Sequence, residues 1–384
     1  MICCAALAGL YQQPALPLVE IYAQQIRQNA HIALDTYSFC IIYIQNPEGQ
    51  EDNMPRMIIV PLVLLACSLS FATVWHVNLD TTAEADFTQI SSAISDPEVV
   101  DGDTLYIYGN PANYASIIIN KSLTLIGPGY HLGSNPGLQA STMSAKPDNV
   151  NIIAQNVCLM GLMVNNSLDV NAANAVIIGC SLCDTRINAG NAVFAGCYFR
   201  IKEGYNSDTV RLANATNTSF SNCIFEANNG FHSLKVPSTS SATLCYSVIR
   251  GTVNIENTEC YNNIIYTDPA WGQGWSCSTS EHHNVFVDRP DLDWGTIVSG
   301  TDNLLNYDGL LFGQSDSPDG KYELLDDPAN LALTAGVWDD ECGIFGGTNP
   351  YKLSGIPPIP SIYELIVPAV GNTLQIRIKA RTNN

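Results

Sequence analysis

Three charged residues hold equivalent places in a repeated phrase. Gly196-Cys197-Tyr198-Phe199 is followed by Arg200, Asn222-Cys223-Ile224-Phe225 by Glu226, and Ser247-Val248-Ile249 by Arg250. Side chains of a strand alternate between faces. If the last apolar residue of each phrase faces a core, Arg200, Glu226 and Arg250 face outward, one above another. At its simplest this is a surface ion-pair ladder, worth about 0–1 kcal/mol per pair. The chemical alternative is a polar track for an acidic or sugar ligand, beside a loop that carries Trp271 and Trp275. Hydrolysis or elimination would need more, a second carboxylate or a cation close to the first.

Other residue types with chemistry are weaker signals. His232 follows Asn229-Gly230, and His282-His283 adjoin the last copy of the phrase; ordinary turn positions account for both. Asp101 and Asp103 flank Gly102. They leave calcium as the one cofactor to consider, although a calcium loop supplies more ligands than this. Cys180 and Cys183 have zinc-like spacing, but alternation puts Cys180 inside and Cys183 outside. Cys180, Cys197 and Cys223 each sit two residues before a large apolar residue, so they should stack in a core as small hydrophobes. Of the 13 cysteines, Cys245, Cys260, Cys277 and Cys342 are left as disulfide candidates.

The elements that must position these residues follow from the spacing. The Cys-bearing phrase recurs after 17 and then 26 residues, with looser copies at Asn263-Ile264-Ile265 and Asn284-Val285-Phe286. One copy per coil of a parallel β-solenoid explains it, with strands about 4.8 Å apart. Polar elbows such as Asn171-Ala172-Ala173-Asn174 and Asn188-Ala189-Gly190-Asn191 suit tight corners, because Asn and Gly tolerate the left-handed conformation. Longer excursions are expected at about 201–215, 230–241 and 268–281. Phe87, Ile90 and Ile94 share a helical face within 84–95, which suits a cap over an open solenoid end. Charged residues make up only 14% of the chain and the net charge is −20. With 16 Lys and Arg in all, no phosphate-neutralising surface forms, and nucleic acid is excluded as an expected partner.

The first 53 residues do not share this pattern. Met54-Pro55-Arg56-Met57 then opens onto an apolar run ending Ser68-Leu69-Ser70-Phe71-Ala72. A short basic start, an apolar run and a small-x-small end make a secretory signal peptide; the run is short of the roughly 20 residues a membrane span needs. Cleavage after Ala72 is favoured. Lipidation at Cys67 is the alternative, since Leu64-Leu65-Ala66-Cys67 approximates a bacterial lipobox with a poorly fitting Leu65.

Residues 84–130 resemble the first coil of right-handed parallel β-helix proteins. The carriers are the capping helix, Gly102-Asp103-Thr104-Leu105, and Asn120-Lys121-Ser122-Leu123-Thr124-Leu125-Ile126-Gly127. Lys321 to Asn330 with Cys342-Gly343-Ile344-Phe345-Gly346-Gly347 resembles the closing segment of secreted bacterial members, which implies a cover over the C-terminal end of the core. That superfold includes pectate-lyase-like enzymes and many surface proteins without known activity. Arg200-Ile201-Lys202 matches one polygalacturonase element, but the Asn-Thr-Asp, Asp-Asp and Gly-His-Gly elements do not precede it. The Arg-Pro-x-x-Arg of pectate lyases and the Asp-Pro-His-Asp of alginate epimerases are also missing.

The expectation is therefore all-β: a right-handed parallel β-helix over 73–355 with a short N-terminal capping helix. Residues 1–53 read as a non-native extension, 54–72 as the signal peptide, and 356–384 as a Pro-rich linker and strand tail. Function reads as a secreted or cell-surface binding or scaffold role, towards polysaccharide, by a monomer with no span in the mature chain. Arg200, Glu226, Arg250, Trp271 and Trp275 are the candidate binding residues. A polysaccharide lyase or hydrolase with an unrecognised site is the alternative.

Overall fold

The computed structural model describes residues 30–34, 40–44, 72–201, 208–227, 231–266, 275–277, 280–287, 294–298, 300–309, 312–313, 315–366, 369–370, 373–374 and 376–383. The chain divides into two compact units, Met1–Phe71 and Ala72–Asn384. In the first, Ala30–Leu34 and Cys40–Ile44 pair antiparallel. The apolar run of 54–71 and Cys67 lie outside the described residues. Among those described, no helix is long and apolar enough to cross a membrane.

The second unit is a parallel β-helix. Its strands form three parallel sheets of ten, seven and eight members. The chain visits them in turn. Val176–Ile178 lies in the first sheet, Ser181–Leu182 in the second and Thr185–Ile187 in the third. One coil later Val193–Ala195, Tyr198–Phe199 and Val210–Leu212 stack on them residue for residue.

Asparagine builds the corners. Asn156, Asn174, Asn191 and Asn217 all have positive φ and stand between the third sheet and the first. Each of the last three donates its Nδ2 to the Oδ1 of the one before, at 3.2, 3.1 and 3.3 Å. A short amide side chain both accepts the left-handed backbone and satisfies its neighbour. The next corner, between first and second sheets, uses Gly161, Gly179 and Gly196, then Asn222, Tyr246, Asn262 and His283, again with positive φ. At Gly179 a Cβ would sit 2.9 Å from the Gly355 carbonyl oxygen, so a second chain segment excludes any side chain there.

Inside, like stacks on like. Phe199 lies on Phe225 with ring centroids 4.7 Å apart, and Phe194 on Phe220 at 5.1 Å. Cys180, Cys197 and Cys223 are fully buried among them, as their register requires. Cys183 departs from expectation. Alternation does turn it outward, yet it is fully buried, because the outer side of the second sheet is not a solvent face. Tyr198, Ile224, Val248, Ile264 and Val285 form an apolar column there, and Tyr307, Tyr322, Cys342, Ile344 and Tyr351 pack over it. The closing segment thus runs along the side of the solenoid instead of covering its C-terminal end. The eight cysteines of this unit whose side chains are described are free thiols, including the disulfide candidates Cys245, Cys260 and Cys342; the side chain of the fourth candidate, Cys277, lies outside the described residues.

The ends are closed by other means. At the N-terminal end the helix is Ile90–Ser95, with Ile90, Ala93 and Ile94 buried. It begins later than its apolar spacing predicts, because Phe87 bridges Val77 in extended form. At the far end Trp294, in a 3-10 turn over Trp294–Thr296, packs on Phe286 with centroids 5.0 Å apart and donates its indole N–H to the Val287 carbonyl. All three expected excursions contain strands of the third sheet, Val210–Leu212, His232–Val236 and Trp275–Cys277. Strands this short and polar carry almost no periodic signal. After Leu353–Gly355 the chain forms an antiparallel pair, Ser361–Ile366 with Arg377–Arg381.

Candidate functional site

Arg200, Glu226 and Arg250 fall in register as expected. Phe199 pairs with Phe225, and Glu226 with Arg250. Their surroundings differ from a surface ladder. Glu226 is buried. Tyr198 Oη donates to it at 2.9 Å, Tyr322 Oη at 2.8 Å and Lys321 Nζ at 3.3 Å. Arg200 points its donors elsewhere: Nε to Ser181 Oγ at 3.2 Å, and Nη2 to the Val164 and Asn165 carbonyls at 3.0 and 3.4 Å. Arg250 lies close enough for its charge to act on the Tyr322 phenol. Burial first, and then the Glu226 charge, push the Tyr198 and Tyr322 phenols far above their ordinary range, so both stay protonated donors.

A second buried carboxylate adjoins. Asp319 accepts from Tyr351 Oη at 3.1 Å, the Ser354 amide at 2.6 Å, Asn135 Nδ2 at 3.1 Å and Ser317 Oγ. Tyr351 also bonds Tyr130, and both phenols are raised, chiefly by burial. His131 completes the group, edge-on to Tyr130 and Tyr198 at 5.4 and 5.5 Å. Burial holds its imidazole below the ordinary value, against the opposing Asp319 charge. Two carboxylates, a lysine, an arginine and a histidine are the parts of an acid–base site. Here the carboxylates already accept from protein donors, and residues 319–322 and 351–354 lie over them. The arrangement fastens the closing segment to the sheet.

The outer face of the third sheet carries the other charge row. Asp169, Arg186, Arg211 and Lys235 align on successive strands. Arg186 pairs with Asp184 at 2.8 Å and Asp169 at 3.4 Å, Arg211 with Asp184 at 3.2 Å, and Lys235 with Asp208 at 3.9 Å. His232 Nδ1 lies 3.0 Å from the same Asp208, and that bond, against burial, lowers the Asp208 carboxyl. Three aspartates balance three cations, so the row has no net charge to draw a polyanion. His282 stacks on Tyr261 at 5.5 Å, and His283 is a corner residue. Asp101 and Asp103 are engaged by protein donors: the Ser122 amide for Asp101, and the Thr73 and Val100 amides with the Trp75 indole for Asp103. Among the described residues, no group of three His, Cys, Asp or Glu is placed to hold a metal ion.

Of the tryptophans singled out from sequence, Trp271 lies outside the described residues. Trp275 is a core residue opposite Val253, with its indole N–H on Glu281 Oε2 at 2.8 Å, so it is not a surface aromatic. Among the described tryptophans the exposed one is Trp338, at 95%. It stands in the turn Val337–Asp339, and Trp338 and Asp339 both have φ of +60°. A bulky residue held left-handed costs of order 1–3 kcal/mol. The turn is fixed from several sides. The Gly336 amide donates to the Asp340 carbonyl at 2.9 Å, the Val337 amide to Asn262 Oδ1 at 2.9 Å, and Tyr246 Oη to Asp340 Oδ2 at 2.9 Å. Sequence reasoning passed it over because Trp338 lies in a segment read only as a cover; the available signal was a tryptophan followed by three acids, Asp339-Asp340-Glu341.

No family model matches the chain. A curated relative, described as a cell surface glycoprotein of Methanothermus fervidus, is 33% identical over 102 residues, which is 25% of this chain. The match spans 16% of that relative's length.

Proposed function

We propose that the chain is a non-catalytic protein of the cell surface or its exterior, whose solenoid serves as a scaffold and binds carbohydrate. The observation that carries this is the Glu226 cluster. It is where carboxylates, lysine and arginine converge on a sheet face, and its carboxylates are engaged by protein donors and covered. The similarity of one quarter of the chain to a protein described as a cell surface glycoprotein supports the location. Export through residues 54–72, a monomeric state and kinship with the pectate-lyase-like superfold belong to the same proposal.

Purified protein incubated with a panel of plant and algal polysaccharides should release neither unsaturated products nor reducing ends, while its migration through gels containing some of them is slowed. Robust turnover would establish the lyase or hydrolase reading instead. Protease added to intact cells should digest the protein; full protection would rule out the surface location.

A further inference from the structure

Among the described tryptophans, Trp275 and Trp294 are buried and Trp75 is half-buried, whereas Trp338 is almost wholly in solvent. Its ring meets no other aromatic ring and no cation among the described residues. A large apolar side chain held outward by two consecutive left-handed residues does not serve the fold. A relaxed turn with glycine at that place would close the same hydrogen bonds from the Gly336 and Val337 amides and the Tyr246 hydroxyl. The shape therefore answers to something outside the chain.

We propose that Trp338, with the exposed Asp339 beside it, is a stacking site for a pyranose ring of a neutral polysaccharide. This rests on the carbohydrate-binding reading above and gives it a location. The C–H face of a pyranose carries small positive charges that lie well on the negative face of an indole, and a carboxylate at the ring edge accepts sugar hydroxyls. Charge selects the class. Asp339, Asp340 and Glu341 follow the tryptophan, on a chain of net charge −20, so uronic or sulfated polymers are repelled. A protein partner fits less well, because a protein hot spot sits within a patch that excludes water around it. Here the adjoining Asp339 is exposed and polar, and Val337 and Asp340 are only half-buried.

The test is affinity electrophoresis of the full chain in gels cast with laminarin, galactomannan or polygalacturonate. Wild type should be slowed by at least one neutral polymer and not by polygalacturonate. Trp338→Ala should weaken that binding about tenfold or more. Trp338→Gly relaxes the left-handed turn, so it should lose binding to the same extent with a melting temperature equal to or above wild type, which a structural role for the indole would not allow. If both variants bind like wild type, carbohydrate binding stands but this site does not. If no neutral polymer slows wild type, or if only a lysine-rich peptide binds through Trp338, the proposal fails.

Discussion

Glu226 illustrates how a single side chain changes meaning with what lies over it. In register it is a surface acid between two arginines; in the fold it is the acceptor for two phenols and an ammonium group. A buried donor that loses its acceptor costs about 1–3 kcal/mol. Glu226→Ala orphans the Tyr198 and Tyr322 hydroxyls together, whereas Lys321, 37% exposed, can turn to water. A loss of about 2–5 kcal/mol is expected in urea denaturation, with Glu226→Gln losing less because its amide oxygen still accepts. A loss below about 0.5 kcal/mol for the alanine variant would mean that the cluster does not fasten the segment. The cysteine column was legible at this scale because burial needs only alternation. The partners of Glu226 were not, since Tyr322 and Lys321 are about a hundred residues away and no local pattern brings them there.

At the scale of elements, the two ends of the solenoid use one device. A buried carboxylate takes an indole N–H: Asp103 from Trp75 at 2.9 Å at the start, Glu281 from Trp275 at 2.8 Å at the finish. For Asp103, burial raises the carboxyl, but bonds from the Val100 amide, Trp75 and the Thr73 amide, with the Lys121 charge, outweigh it and hold the group below its ordinary value. A folded value below the unfolded one stabilises the protein fully above the unfolded carboxyl range, near pH 4. That stabilisation is lost as pH falls through the folded value. Asp103→Asn should therefore cost about 1–3 kcal/mol at pH 7, and the difference from wild type should shrink as urea midpoints are measured from pH 5 down to pH 2.5. A difference that grows on acidification would contradict this account of the cap. The sequence announced the first end through its helix and Gly-Asp-Thr turn. It did not announce the second, because Trp294 acts from a turn of three residues with no period.

At the scale of the whole molecule, the closing segment turns an open sheet into an interior one. The apolar pairs Ile224-Phe225, Val248-Ile249, Ile264-Ile265 and Val285-Phe286 record this in the sequence. A strand with one wet face alternates, while consecutive apolar residues mean that both faces are covered. Reading only the inner member of each pair gave the coils and missed the cover. The cover brings Tyr130, Tyr198, Tyr322 and Tyr351 into one buried layer, and burial raises all four phenols. Their folded values lie above the unfolded value of about 10, so their contribution is complete below pH 10 and is lost as pH rises beyond it. Each such group removes about 1.4 kcal/mol per pH unit once the unfolded chain ionises and the folded one does not. Four together predict a fall of roughly 5 kcal/mol per unit above pH 10. Urea midpoints at pH 8, 10 and 11 should drop accordingly, and phenolate absorbance from these four should appear only with unfolding. Ionisation of all four near pH 10 in a protein that still melts cooperatively would show that solvent reaches the layer, and with it the Glu226 cluster, which would reopen the catalytic reading.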